Sequence, residues 1–228
     1  MVRNWDDLPE QIRVAEVEPY YQILSRKKST LLVKRIFDLV ASLILLLLLF
    51  IPMLVISIMI KCDSPGPVFF RQERVTANGK IFRIHKFRTM TVDAEKTGSR
   101  ISQEEDSRIT EIGKKLRRKR LDEIPQLIDI LQGNMTFVGT RPEVVYYVEK
   151  YQPEYYATLL LPAGITSEAS LEFRDEGRLL SESDDIDRVY LEEILPRKME
   201  LNLKGIREIS VFYDLGIMIR TVKAVLLS

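Results

Sequence analysis

From Leu39 to Ile60 the chain runs for 22 residues without a charge, and this run limits the available folds more than anything else in the sequence. As a helix it would be about 33 Å long, the thickness of a bilayer's hydrocarbon core. Sixteen of its residues are Leu, Ile, Val or Phe. Together they favour insertion by roughly 5 to 10 kcal/mol, against which stand only Ser42, Ser57 and Pro52. A buried helix of a soluble protein is the plainer alternative. The run starts too late and is too long for a cleaved leader, and no small-residue cleavage site follows it.

The flanks bear on topology. Arg26, Lys27, Lys28, Lys34 and Arg35 precede the run, and Lys61, Arg71, Arg74, Lys80, Arg83, Lys86 and Arg88 follow it. Basic flanks on both sides fit neither spanning orientation, but both could lie on the cytoplasmic side if the helix turned back. Pro52 supplies a break, with Ser42 a partner for the carbonyls it frees. A re-entrant helix over 34–61 is therefore physically reasonable, and these residues leave the choice between it and a plain spanning helix open. Residues 1–33 read as an N-terminal extension, either short surface helices or a mobile arm. Residues 62–228 read as a catalytic domain at the membrane surface.

The charge balance is +1, with 34 Lys and Arg against 33 Asp and Glu. No whole-molecule field draws nucleic acid, so nucleic acid is not an expected partner. The lone Cys62 rules out an internal disulfide. The lone His85 lacks the companions of a zinc site and is expected to pack or hydrogen-bond.

Beyond a turn cluster at residues 63–67, two alternating stretches flank Asn78-Gly79, a hairpin signal. Residues 91–107 read as a surface loop. A helix over Ile109–Arg120 ends in a stretch, residues 114–120, with six basic residues in seven, suited to anionic lipid headgroups or phosphates, or simply to solvent. A second helix is expected over 122–133, with Asp122 as N-cap, Pro125 in the first turn, Gly133 as the stop, and Ile124, Leu127, Ile128 and Leu131 buried. Asp184 to Lys198 reads as helical with a break at Pro196, and Asp214 to Leu227 as an amphipathic helix. The expected class is mainly α with a small β-hairpin (α+β), with amphipathic interfacial helices beside the membrane helix.

Chemistry concentrates at Asp122 and Glu123. A helix start, N-terminal amides and the nearby Arg118 and Arg120 should keep Asp122 ionised. Such a carboxylate can attack phosphorus or hold Mg²⁺. Alone, the pair is equally ordinary helix-start chemistry. Arg141, in Gly139-Thr140-Arg141-Pro142-Glu143, suits bidentate phosphate contacts, and Arg71, Arg74 and Arg88 lie on or beside the hairpin. Neither a P-loop nor a dinucleotide-binding glycine motif is present.

Five ordered stretches resemble one family: Lys34-Arg35-Ile36-Phe37-Asp38, Gly66-Pro67-Val68-Phe69-Phe70-Arg71-Gln72-Glu73-Arg74, Phe82 to Met90, Leu121-Asp122-Glu123-Ile124-Pro125-Gln126-Leu127, and Phe137 to Pro142. The chain is similar to the bacterial sugar transferases, small monotopic polyprenyl-phosphate phosphoglycosyl transferases. The resemblance implies a membrane helix kinked at Pro52, Asp122 as nucleophile, Mg²⁺ near Asp122 and Glu123, and Arg141 at the phosphate or nucleotide. It implies a UDP-sugar donor, undecaprenyl phosphate as acceptor, membrane lipids around the helix, and the inner membrane's cytoplasmic face as location. Arg71, Arg74, Arg88 and Arg118 are the further substrate-binding candidates. Ile51 stands where the family often has Ser, Thr140 where Pro is commoner, and Pro162–Ser167 departs from the usual pattern. The sugar and any homo-oligomer are left open. Rivals are a non-enzymatic membrane-anchored docking module and a phosphatase passing the same intermediate to water.

Overall fold

The computed structural model describes residues 2–92, 94, 106–181 and 185–227. The loop read at 91–107 falls mostly outside these, as does Asp184. The described chain is mostly helical with two small sheets, each two-stranded.

The apolar run lies inside α2 (Lys28–Asp63), one 36-residue helix with Pro52 within it. At 1.5 Å per residue it is about 54 Å long. Leu31, Arg35, Asp38, Ser42, Leu46, Leu49, Met53, Ile56 and Ile60 recur at helical spacing along it. All are buried, packed or bonded against the rest of the protein. The opposite side is bare: Leu47, Leu48, Phe50 and Ile51 are each more than 60% exposed. Pro52 is exposed too. Ser42 does not serve Pro52 as expected. Its hydroxyl donates to the Leu39 carbonyl at 3.2 Å, on the packed side of the helix.

The residues before α2 are part of the main core. Leu8, Ile12, Val17, Tyr20 and Leu24 are buried against Tyr147, Leu160, Tyr190, Leu195 and Met199. α1 (Glu18–Arg26) continues almost directly into α2.

Strands β1 (Phe69–Val75) and β2 (Ile81–Phe87) form the expected hairpin, pairing Phe69 with Phe87 and Val75 with Ile81. Asn78 and Gly79 turn it with φ of 59° and 72°, the left-handed conformation that favours these two residue types. A second sheet was not foreseen. β3 (Met135–Val138) and β4 (Ala163–Thr166) pair in parallel. Four-residue strands are too short to show alternation.

α3 (Glu111–Arg118) lies where a helix was expected, capped by the Thr110 hydroxyl. The next helix starts later than expected. Leu121–Glu123 is a tight 3₁₀ turn, and α4 (Gln126–Leu131) begins only after Pro125, which is itself the N-cap. Gly133 ends it with φ of 81°. The buried side is Gln126, Leu127, Asp129 and Ile130; of the predicted set Leu127 is buried and Ile124 packs against the core, while Ile128 and Leu131 are only partly covered. Moving the N-cap from Asp122 to Pro125 starts the helix three residues later and changes its contacts, and two buried polar residues disguise the apolar periodicity. Asp129, fully buried, accepts from both the backbone N and the Nδ1 of His85, at 2.8 and 2.7 Å.

After β3 come the short helix α5 (Val145–Val148) and a 3₁₀ segment at Pro153–Leu160. After β4 come α6 (Glu168–Glu172), α7 (Glu176–Ser181) and α8 (Ile186–Val189). A wide π turn, Tyr190–Ile194, leads into α9 (Leu195–Glu208), so Pro196 opens a helix where a break had been expected. α10 (Val211–Leu226) is amphipathic.

Candidate active site

The site is assembled by three elements around the 3₁₀ turn. Two residues beyond α3, Arg120 takes the left-handed conformation with φ of 55° and reverses the chain into Leu121–Glu123. This puts both Asp122 and Glu123 under cover, each less than 10% exposed. From β2 comes Lys86, whose Nζ donates to Glu123 Oε1 at 3.0 Å. From the loop after β3 comes Arg141. Its Nη2 donates to Glu123 Oε1, and its Nη1 to Oε2 at 3.3 Å, so the guanidinium grips the carboxylate with two nitrogens. Arg120 Nη1 stands 4.0 Å from the same carboxylate.

Arg141 is carried on a close backbone crossing. Gly139 N donates to the Thr166 carbonyl at 2.9 Å, and Gly164 N to the Thr140 carbonyl at 2.8 Å. A Cβ on Gly164 would lie 2.2 Å from the Gly139 carbonyl oxygen, so only glycine fits without moving the chain that presents Arg141.

The two carboxylates behave oppositely. Burial pushes Glu123 up, but Arg141 and Lys86 outweigh it and hold the group well below the ordinary range. Asp122 is pushed up by burial and by Glu123's charge, with Lys86, Arg117 and Arg120 opposing but not cancelling them. This reverses the direction expected from the sequence. Asp122 is not an N-cap, so it gains neither the amide bonds nor the α4 helix end. Its Oδ1 is buried with no hydrogen-bond partner. Lys86, desolvated, is lowered to about 8.

The remaining sequence candidates separate by strand and helix phase. Side chains alternate across a strand, and the register places Arg74 and Lys86 on one face of the hairpin and Arg71 on the other. Arg74 joins the site's edge, donating to the Pro142 carbonyl at 3.0 Å and to Gln72 Oε1 at 2.6 Å. Arg71 is exposed and bonds the Arg83 carbonyl at 2.8 Å. Arg88 is buried away from the carboxylates. Its guanidinium caps the end of α2, donating to the Ser64 carbonyl at 2.7 Å, to that of Ile60 at 3.3 Å, and to that of Pro65. Gly66, with φ of 127°, leaves room for it; a Cβ there would meet Arg88 Nη1 at 2.3 Å.

Arg118 is exposed at the end of α3. Its neighbour Arg117 turns inward instead, bonding Thr89 Oγ1 at 3.1 Å and acting on Asp122. Gly113 and Leu116 mark α3's buried side, and that phase points to Arg117 and Arg120. Lys86 was missed as a site residue because nothing in an alternating strand marks its face as inner.

For a divalent cation, the donor set is small. Among the described residues no three His, Cys, Asp or Glu side chains converge. Mg²⁺ in phosphate chemistry needs only one or two carboxylates, the substrate's phosphates and water completing the shell. The unpartnered Asp122 Oδ1 fits such a ligand, while both Glu123 oxygens already carry Arg141.

The profile of the family described as bacterial sugar transferase matches residues 29–228. The chain belongs to that family. It is 34% identical to the galactosyl transferase CpsE of Streptococcus agalactiae serotype III (strain NEM316), over 98% of this chain and 49% of the relative. It is 43% identical to a putative undecaprenyl-phosphate N-acetylgalactosaminyl 1-phosphate transferase of Bacillus subtilis (strain 168), over 58% of this chain and 74% of the relative. It is 35% identical to the UDP-glucose:undecaprenyl-phosphate glucose-1-phosphate transferase of Escherichia coli (strain K12), over 84% of this chain and 39% of the relative. The chain thus spans about half the length of the streptococcal relative and less of that from E. coli. Among bacterial sugar transferases, then, the names of similar proteins carry different sugars.

Proposed function

We propose that this bacterial sugar transferase moves a sugar 1-phosphate from a UDP-sugar to undecaprenyl phosphate through a covalent intermediate on Asp122. The observation that carries this is Asp122 itself: a buried carboxylate with one oxygen unpartnered, ringed by Lys86, Arg117 and Arg120, beside a Glu123 already neutralised by Arg141. Leaving a buried acceptor unsatisfied costs about 1–3 kcal/mol, and such a group is expected where an incoming atom will use it.

An Asp122 oxygen would form a bond to the phosphorus that bears the sugar. The bond from that phosphorus to the bridging oxygen breaks, and UMP leaves with the electron pair. An oxygen of the lipid phosphate then attacks the same phosphorus and releases Asp122. No proton is gained or lost overall. Burial keeps water from competing for the intermediate, while Lys86, Arg117 and Arg120 offset charge gathering on the phosphoryl oxygens. Mg²⁺, held at Asp122 and at Glu123 insofar as Arg141 shares it, would offset further charge on the diphosphate.

Membrane association from one side is part of the same reading. α2 bonds or packs against the domain from Leu31 to Ile60, and Arg88 ties its far end to the hairpin. A helix standing straight through a bilayer would leave its domain after the first turns. One held along its whole length keeps both ends with the domain, and its bare side faces lipid. This supports a helix entering and leaving by one face, and its basic flanks on both sides favour the cytoplasmic side for the catalytic domain. The basic residues of α3 add attraction to anionic headgroups.

The test is UMP release from a panel of UDP-sugars with Mg²⁺, with and without undecaprenyl phosphate. The proposal requires turnover that depends on the lipid, together with a phosphosugar adduct on Asp122 trapped when lipid is withheld. Turnover indifferent to lipid would indicate a phosphatase, and no turnover a docking module.

A further inference from the structure

A second charged cluster lies behind Arg141, built from elements far away in sequence. Glu143, two residues beyond Arg141, is buried. It accepts from the Tyr190 hydroxyl at 2.6 Å and from Lys198 Nζ at 3.4 Å. Lys198 is buried as well. Its Nζ also lies 3.0 Å from the Tyr190 hydroxyl and 3.3 Å from both carboxylate oxygens of Glu176. Tyr190 opens the π turn, whose extra residue per turn shifts the helical phase between α8 and α9 and so affects which side chains of α9 face inward. π turns of this kind are frequent at functional sites.

This cluster bears on Arg141 in two ways. The segment carrying Arg141 is held at three successive residues: Arg141 by Glu123, the Pro142 carbonyl by Arg74, and Glu143 by Tyr190 and Lys198. Glu176 is also close enough for its charge to act on Arg141. Its side chain is 23% exposed, so it is partly free to move. Lys198 occupies both of its oxygens. Without that ammonium, Glu176's charge would still act on Arg141, the group expected to meet the substrate's phosphates.

We propose that Lys198, with Tyr190, is a positioning residue: it fixes Glu143 behind Arg141 and holds Glu176 off that guanidinium, leaving the N–H donors that Glu123 does not use open to a nucleoside diphosphate. The inference rests on the reading of Arg141 as a phosphate-binding residue. Lys198 itself touches no substrate.

The experiment measures UDP binding calorimetrically to the full chain in nanodiscs, apart from any turnover assay. Lys198→Gln keeps a donor for Tyr190 and Glu143 but removes the charge. It is expected to weaken UDP about tenfold, within the usual range of coupling between a binding group and a residue that acts on it indirectly. Glu176→Gln alone should change binding by less than about twofold, because its charge is already occupied. The double variant should recover most of the loss, since the competitor is then neutral, and Lys198→Arg should stay within about threefold of wild type. Transfer kinetics should show the Lys198→Gln defect mainly in KM for the UDP-sugar.

Unchanged binding in Lys198→Gln would overturn the proposal. So would a double variant as weak as the single one, the pattern of a merely structural lysine. Should Lys198→Gln not fold, Tyr190→Phe tests the same arrangement. It removes the bridging hydroxyl and keeps the ring, and a two- to threefold weakening, about what one hydrogen bond supplies, is expected, relieved by Glu176→Gln. No effect there counts against the proposal. Wild-type protein that binds UDP but transfers nothing would refute the proposed activity and leave this inference standing. Wild-type protein that ignores UDP would sink both.

Discussion

At the scale of single residues, two adjacent carboxylates are given opposite characters by what surrounds them. Glu123 is saturated with cations, and Asp122 keeps a buried oxygen without a partner. Asp122→Asn should therefore fold normally and lose transfer by about 10³-fold or more, with thermal unfolding and UMP release as the paired measurements. Lys86 gives a pH dependence. Burial lowers it to about 8, against an ordinary value of 10.5. Between those values the unfolded chain holds the proton and the folded chain does not. Lys86's own contribution to stability therefore rises with pH across that window. The Lys86–Glu123 pair, by contrast, dissolves there. Transfer should decline as pH rises through about 8 while the melting temperature does not follow it down. Lys86→Arg should move the decline to higher pH, because arginine does not titrate there. An unmoved alkaline limb in that variant would assign it to another group.

At the scale of elements, geometry is set where backbones or helix ends meet. The Gly139–Gly164 crossing is one such place. Gly164→Ala forces apart the strands that present Arg141 and should cost about 1–3 kcal/mol by overpacking, with a loss of transfer larger than the stability change explains. Denaturant unfolding beside kcat/KM reads both. The end of α2 is another. Arg88 bonds three carbonyls there, and its Nε is buried without a partner. Arg88→Met should lower stability by about 2–3 kcal/mol, the range for charge-assisted bonds, while KM for the UDP-sugar stays put. A rise in KM at unchanged stability would instead return Arg88 to the substrate site. The motif Lys34 to Asp38 has the same kind of role at the other end. Arg35 caps α4's last carbonyls, at 2.8 and 3.3 Å, and Asp38 accepts from Thr136 and from the Phe137 amide.

At the scale of the whole molecule, the apolar helix and the active site are one construction, joined at both ends of α2. Native Cys62 is exposed just beyond the apolar run, and Ser29 is exposed near its start. In intact spheroplasts, Cys62 and an introduced cysteine, Ser29→Cys, should both resist a membrane-impermeant maleimide and both label after permeabilisation. Labelling of one from outside would replace one-sided entry with a spanning helix. The sequence by itself determined the long apolar helix, the hairpin and the pairing of adjacent acids after a basic helix, because each rests on local chemistry: length and apolarity, Asn-Gly at positive φ, neighbouring residue types. Tertiary structure alone decided that Lys86 and Arg117 face Asp122 while Arg71 and Arg118 do not, since strand face and helix phase depend on what each element packs against. It also decided that Asp122 is no helix cap, and that Lys198 stands behind Arg141. Contacts between residues this far apart in the chain leave no periodic trace in it.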